Sequence, residues 1–342
     1  MNMLNHNDIP LSIVRGLLGP QRHEIDLRSK DNLTSSLVAN KEQDASSLLI
    51  LADNAARKEV STLFDSNPSA HRFALVTNCI METAEDWNFP HIFLNTAHTG
   101  TVLITSPEHG LMKDFVEGLM AHQRLLDVLD GAQSHGGYEV PVQTWLTQAI
   151  QPGWRCIDIG SNVGILTIIM AGQAGTYGRV YAFDAFEQNA NDVRHTARYF
   201  GVDKYVQSYW YAITDGSTPE VTLYSGRHQW STEWNLSGVD VDGNPSETSV
   251  VVPARSLDQM FPTEMIDFIK IDVEGAANGV VKGMQVLLSR CSPMIFFEYH
   301  GDQEQEGVQY LRSIGYQFFD LATKLPIDGR ELSYHMFAIK RA

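Results

Sequence analysis

The residues best suited to chemistry gather at the ends of short apolar runs. The first group is Asp158-Ile159-Gly160-Ser161-Asn162-Val163-Gly164. Gly160 permits a sharp turn and a close approach to a ligand, and Gly164 lets a following helix pack tightly. The spacing is Gly-x-x-x-Gly rather than Gly-x-Gly-x-x-Gly, so the loop offers a pyrophosphate fewer aligned backbone N–H groups. A carboxylate at Asp158, just before the turn, repels phosphate and suits an ammonium group. A second acid, Asp184, closes Val180-Tyr181-Ala182-Phe183-Asp184, 20 residues after Gly164. An acid in that place accepts hydrogen bonds from ribose hydroxyls. The third group is Phe268-Ile269-Lys270-Ile271-Asp272-Val273-Glu274-Gly275. Asp272 and Glu274 can orient an amine, accept a hydroxyl proton or hold a divalent cation. Glu274 equally suits the positive end of a helix. The fourth is Phe296-Phe297-Glu298-Tyr299-His300. Period-2 spacing puts Glu298 and His300 on one side of a strand end, and His300 titrates near neutrality as a general base would.

These groups need elements that deliver them to one edge. Residues 155–159, 179–183, 205–213, 266–271 and 293–299 read as strands, and residues from about 163, 188–200, 277–289 and 303–313 as helices. Short strands at 221–224 and 249–252 flank a polar, aromatic stretch, and runs at 316–319 and 336–339 close the set. Alternation of strand and helix implies an α/β fold: a mostly parallel, doubly wound sheet covered on both faces. Ligands in such sheets bind at the carboxyl ends of the strands. Upstream, 46–64 and 112–129 read as helices, and 73–79, 91–94 and 101–105 as strands, which makes an α+β extension. The glycines near 131–137 mark a boundary, giving an N-terminal region of 1–132 and a catalytic domain of 133–342.

The chain has 342 residues, 43% hydrophobic and 19% charged, with a formal net charge of −16. That balance is globular. It disfavours nucleic acid and anionic membrane as partners. Cys79, Cys156 and Cys291 are odd in number and widely spaced, so they read as buried hydrophobes rather than a disulfide framework or zinc site. Neither a signal peptide nor a membrane span is visible, and a cytoplasmic protein is expected.

A ligand with an ammonium, a cationic sulfur, a ribose and no phosphate matches the glycine loop and Asp184, and S-adenosylmethionine is such a ligand. Ile157-Asp158-Ile159-Gly160-Ser161-Asn162-Val163-Gly164, Ala182-Phe183-Asp184, Ser256-Leu257-Asp258 and Phe268-Ile269-Lys270-Ile271-Asp272-Val273-Glu274-Gly275 together resemble the FkbM family of methyltransferases. The resemblance runs from about Gly137 to the C-terminus. It implies a Rossmann-like, seven-stranded methyltransferase sheet and O-methylation of a sugar, lipid or natural product. Gly137-Tyr138-Glu139 is similar to the family's element before the core, which places Glu139 near the cofactor. The second-strand acid is usually Glu in the family and is Asp184 here. Where the family commonly has another Glu after Glu-Gly-Ala, this chain has Ala277.

The expected site therefore has Glu139, Asp158, Gly160, Ser161, Asn162, Gly164, Asp184, Ala212 and Asp272 toward S-adenosylmethionine. His300, Glu298 and Asp272 serve catalysis. His228, Trp230, Trp234 and Glu274 face the acceptor, since the aromatic stretch at 225–235 suits stacking on a sugar or planar ring. The alternative for that stretch is a surface hairpin. No Asp-Asp-Asn set or His-rich cluster is evident, so metal-independent transfer is expected. The acceptor is a small-molecule or carrier-bound hydroxyl. The N-terminal region serves substrate recruitment, a lid or homodimerisation. The rival readings are N- or C-methylation, a nicotinamide-dependent oxidoreductase, and a binding protein without catalysis.

Overall fold

The computed structural model describes residues 14, 17–18, 23–26, 47–53, 57–66, 71–77, 91–96, 100–133, 136–225, 234–235, 248–329 and 331–340. The chain divides into two compact units, Met1–Met120 and Ala121–Ala342. Among the described residues no helix is long and apolar enough to cross a membrane.

The first unit holds a five-stranded sheet in the order β1-β2-β3-β5-β4. Its strands are β1 (His23–Asp26), β2 (Ser47–Asp53), β3 (His71–Thr77), β4 (His91–Thr96) and β5 (Gly100–Thr105). Helix α1 (Arg57–Ser66) joins β2 to its parallel neighbour β3. The expected helix over 46–64 is thus a strand followed by a helix. The run Ser47-Leu48-Leu49-Ile50-Leu51-Ala52 is apolar without alternation, a pattern shared by a buried parallel strand and a buried helix. Parallel pairing on both sides of β2 decides for the strand. Helix α2 (His109–Gln133) begins in this unit and ends in the next. At its start Glu108 accepts from the Arg72 guanidinium at 2.8 and 2.9 Å and from the Ser106 hydroxyl at 2.8 Å.

The second unit is built on a seven-stranded sheet, β15-β16-β14-β13-β6-β7-β8. Its elements, in chain order, are α3 (Val140–Ala149), β6 (Arg155–Ile159), α4 (Ile165–Ala174), β7 (Arg179–Asp184), α5 (Glu187–Tyr199) and β8 (Val206–Trp210). A smaller sheet follows, made of β9 (Ala212–Ile213), β10 (Glu220–Ser225), β11 (Trp234–Asn235) and β12 (Thr248–Arg255) in the order β11-β10-β12-β9. The chain returns through α6 (Leu257–Met260), β13 (Phe268–Ile271), α7 (Ala277–Lys282), α8 (Gln285–Arg290), β14 (Met294–Glu298), α9 (Gln305–Ser313), β15 (Tyr316–Asp320) and β16 (His335–Lys340). All pairings in the large sheet are parallel except those of β16, which is antiparallel to both neighbours.

Side chains of the central strands alternate between two cores, which is why their sequences are continuously apolar. Cys156, Phe268 and Phe296 face α3 and α4, where Trp145 stands 5.9 Å from each of the two Phe rings. Ile157, Ile269, Ile295 and Phe297 face the other core with Val280, Leu287 and Leu311. Cys156 and Cys291 are free and buried, as expected of small hydrophobes, and Cys79 lies outside the described residues.

Two expected elements are divided. The strand over 205–213 breaks at Tyr211, whose N–H donates to the Asp184 carbonyl at 3.0 Å, and its two halves join different sheets. The helix over 277–289 breaks at Gly283, where a Cβ would lie 2.0 Å from the Thr214 carbonyl oxygen.

Candidate active site

The sheet order changes direction between β6 and β13, and a cleft opens above their carboxyl ends. That is where a doubly wound sheet binds its ligand. The cleft is lined by Gly160, Asn162, Asp184, Ala212, Asp272 and Glu274 from the expected set. Phe186, Asn189, Tyr211, Ile213 and Leu223 add a largely apolar wall. Glu139, Asp158, Ser161, Gly164, Glu298 and His300 are not part of this lining. His228 and Trp230 lie outside the described residues, as does the Trp234 side chain.

The loop after β6 is fixed by its own amides. Gly160 and Ser161 N–H donate to the Phe183 carbonyl at 2.9 and 3.2 Å. The Asn162 N–H donates to Asp184 Oδ2 at 2.9 Å, and the Gly164 N–H to the Ser161 carbonyl at 2.9 Å. Asn162 holds a left-handed φ of 49°, which Asn tolerates better than most residues. Gly160 has φ 79°, and a Cβ there would sit 1.8 Å from the Asp272 carbonyl oxygen. The glycine is required by the backbone just after β13. Gly164 is the N-cap of α4, and Ser161 is 5% exposed with its hydroxyl turned inward.

Asp184, half-buried, receives three donors. The Phe186 N–H and the Asn189 amide reach Oδ1 at 2.9 and 3.2 Å, and the Asn162 N–H reaches Oδ2. Burial pushes its carboxyl up to about 6, against the pull of these hydrogen bonds. A carboxylate has about four acceptor positions. One remains, on Oδ2, which narrows the expected two ribose contacts to one.

Asp158 is fully buried and lies inside the sheet. Its carboxylate accepts from the Thr167 hydroxyl at 2.5 Å and pairs with Lys270 Nζ at 3.2 Å. Register explains the pair, since Lys270 and Asp158 are direct partners on β13 and β6. Lys270 also donates to the Gly160 carbonyl at 2.9 Å and to Asp272 Oδ2 at 3.0 Å. Burial opposes its charge, but Asp158, Asp272 and Glu139 hold its pKa well above the usual lysine value. The sequence shows Lys270 only as an interruption in an apolar run. The structure makes it the cation that ties loop, strand end and two carboxylates together.

Acids and imidazoles crowd beyond Asp272. His300 Nε2 lies 3.3 Å from Glu298 Oε1 and 3.8 Å from Asp272 Oδ1, and Nδ1 lies 3.7 Å from Glu304 Oε1. Burial lowers the His300 pKa, but the three carboxylates outweigh it and hold it at about 10. Burial works to raise Glu298, yet His300, His335 and Tyr334 keep it below the carboxylate range. Burial raises Asp272, Lys270 pulls the other way, and the net shift is upward. Glu139, at the N-cap of α3 in a left-handed conformation, is pushed up to about 7 by burial against the attraction of Lys270. Sequence reasoning did not find His335, Tyr334 or Glu304, because no motif spacing links them to the groups they meet.

The sequence model of the methyltransferase FkbM domain matches residues 158–334. No curated protein matches the chain. Among solved structures, similarity extends to a SAM-dependent O-methyltransferase of Thermotoga maritima, with 14% identity and a TM-score of 0.39 over 74% of this chain and 78% of that one. A SAM-dependent methyltransferase of Aquifex aeolicus has 14% identity and a TM-score of 0.33 over 58% and 87%. An rRNA methylase of Streptococcus thermophilus has 13% identity and a TM-score of 0.35 over 58% and 93%.

Proposed function

The chain belongs to the FkbM methyltransferase family, and from that premise we propose that it transfers a methyl group from S-adenosylmethionine to a hydroxyl oxygen of a sugar, glycolipid or natural-product intermediate. The observation that carries the cofactor reading is the state of the glycine loop. The amides of Gly160, Ser161, Asn162 and Gly164 are all used within the protein. These four amides are not open to a phosphate, which argues against a nicotinamide dinucleotide. The open acceptor position on Asp184 fits one ribose hydroxyl, and Phe186, Tyr211 and Leu223 suit a purine. Asp272 gives the other end of the cleft the negative charge that an ammonium and a sulfonium need.

When bound, S-adenosylmethionine supplies a methyl carbon on a cationic sulfur. The protein's part is to align the acceptor, exclude water and remove a proton. Of the three catalytic candidates, Asp272 alone lines the cleft, so it is assigned the acceptor's proton, on Oδ1. Its other oxygen is held by Lys270. His300 is protonated at neutral pH and serves as a charge partner rather than a base, and Glu298 positions it at 3.3 Å. Glu274, His228, Trp230 and Trp234 are assigned to the acceptor side. The described cleft-lining residues fall between Ile159 and Ala276, which supports assigning transfer to residues 133–342 and leaves 1–132 to recruitment of the acceptor, a lid or homodimerisation.

The test is transfer of a labelled methyl group to a panel of hydroxyl, amine and carbon acceptors. Label in an alkali-stable ether is expected. Label confined to amine or carbon products would replace the O-directed reading. Binding of NADH but not adenosylhomocysteine would remove the methyltransferase reading of the cleft.

A further inference from the structure

The carboxyl end of β14 and the adjoining start of β16 hold a group of which the proposed transfer uses only the Glu298 Oε1 contact with His300. Glu298 and His335 are cross-strand register partners. Their side chains meet with His335 Nε2 at 3.5 Å from Glu298 Oε2. That is long for an N–H···O hydrogen bond. It is close to the spacing of two ligands on one ion, since atoms about 2.1 Å from a common metal at near-tetrahedral angles lie roughly 3.4 Å apart. Glu139 enters from a third element, and one ligand-capable atom of each residue lies within 4.8 Å of the others.

The hydrogen bonding points the same way. Glu298 is 6% exposed. Glu139 Oε2, Glu298 Oε2 and His335 Nε2 are all buried without a hydrogen-bond partner. Buried polar atoms are almost always satisfied, and here three separate elements present such atoms in the same small space, with only the long Glu298–His335 contact between them. The other Glu298 oxygen is already engaged: Oε1 accepts from the Tyr334 hydroxyl and faces His300. Such an outer contact orients a ligating carboxylate and leaves its second oxygen free. The neighbouring group Asp272, Glu298 and His300 is equally compact, but Lys270 already occupies Asp272 and three carboxylates surround His300.

We propose that Glu139, Glu298 and His335 form a binding site for a divalent first-row transition-metal ion. Two carboxylate oxygens with one imidazole nitrogen suit Mn²⁺ or Zn²⁺ better than Mg²⁺ or Ca²⁺, which take mostly oxygen. Three protein ligands leave room for water or an acceptor oxygen on the ion. The site is a property of the chain alone and does not depend on the methyl-transfer reading.

The test is calorimetric titration of the chelator-stripped full chain with MnCl₂ or ZnCl₂, and with MgCl₂ as comparator. One Mn²⁺ or Zn²⁺ per chain is expected, with Mg²⁺ at least about tenfold weaker. Glu139→Gln and His335→Phe should each weaken binding at least about tenfold. The Phe variant keeps a ring against Phe296 and Tyr334. If circular dichroism shows either variant unfolded, the wild type decides alone. Its Co²⁺ form should show one hyperfine-shifted, exchangeable imidazole N–H in the proton NMR spectrum. No stoichiometric binding, binding that persists in both folded variants, or a Co²⁺ form without that signal overturns the proposal. Adenosylhomocysteine binding, measured on the same preparation, tests the methyltransferase reading separately.

Discussion

Asp184 and Glu298 are both carboxylates at the carboxyl ends of parallel strands, yet their surroundings are opposite. Asp184 is held by two backbone N–H groups and a neutral amide, and burial leaves its carboxyl at about 6. Glu298 faces two imidazoles and a phenol, which keep it ionised despite burial. Around Asp184 the hydrogen bonds are normal in length and the amides of Gly160, Ser161, Asn162 and Gly164 are paired, although Ser161 Oγ and Asn162 Oδ1 are buried without a partner. Around Glu298 the contacts with the imidazoles are 3.3 and 3.5 Å, and buried atoms lack partners. On the first side neutral donors hold the carboxylate and leave one acceptor position open for a ribose hydroxyl. The second is a cluster of charges held at longer contacts, the kind of arrangement found where protons move or cations are held. Lys270 stands between them and belongs to both.

The largest expected effect comes from removing that link. Lys270→Met leaves the buried Asp158 carboxyl without its cation, which should cost about 3–5 kcal/mol of stability. Adding Asp158→Asn should restore much of it, because the uncompensated carboxyl is then gone. Urea unfolding of the wild type, the single variant and the double variant checks this. Additive losses would mean that the two sides are not joined through Lys270. Next, Asp272→Asn should lower kcat by about 10²–10⁴. Calorimetry should show adenosylhomocysteine still bound, though more weakly, because Asp272 also supplies negative charge at that end of the cleft. A rate that survives would move the proton acceptor elsewhere in the cluster.

The same division governs what could be read from the sequence. The Asp184 side was legible because it is local: strand, turn and helix follow one another, so Gly160, Asn162 and Asp184 lie next to the elements that aim them. Asp272 was legible for the same reason. The part played by Lys270 depends on its register with Asp158 across β13 and β6, which no local pattern reports. His335 meets Glu298 only because β16 inserts antiparallel beside β14, and the run around it looks like any short apolar strand. Glu139 was placed near the cofactor by resemblance, but its left-handed turn and its burial are tertiary facts. The misread stretch at 46–64 fails for a different reason. Its apolar residues are too dense for either period to stand out, and only strand pairing separates β2 from a helix.

On the Asp184 side the effects are smaller. Asp184→Ala should weaken adenosylhomocysteine by about 1–3 kcal/mol, the range for losing a hydrogen bond to a charged group. An unchanged dissociation constant would take the ribose away from this strand end.

The smallest effect is a pH dependence whose two signs oppose each other. In the unfolded chain an Asp titrates near 3.9, and in the folded protein Asp184 titrates at about 6. Between those values the folded state binds more protons, so this group's contribution to stability is present below about pH 4 and is lost as pH rises through about 6. Ribose binding goes the other way, because the ionised carboxylate is the better acceptor. If only that form binds, the dissociation constant of adenosylhomocysteine should rise about tenfold from pH 7 to pH 5. Other groups titrate in the same window, so the measured quantity is the difference between wild type and Asp184→Asn. In that difference, the wild type's relative stability should fall with pH while its relative affinity rises. Slopes of the same sign, or no slope, would show that Asp184 shapes the loop without receiving the ribose.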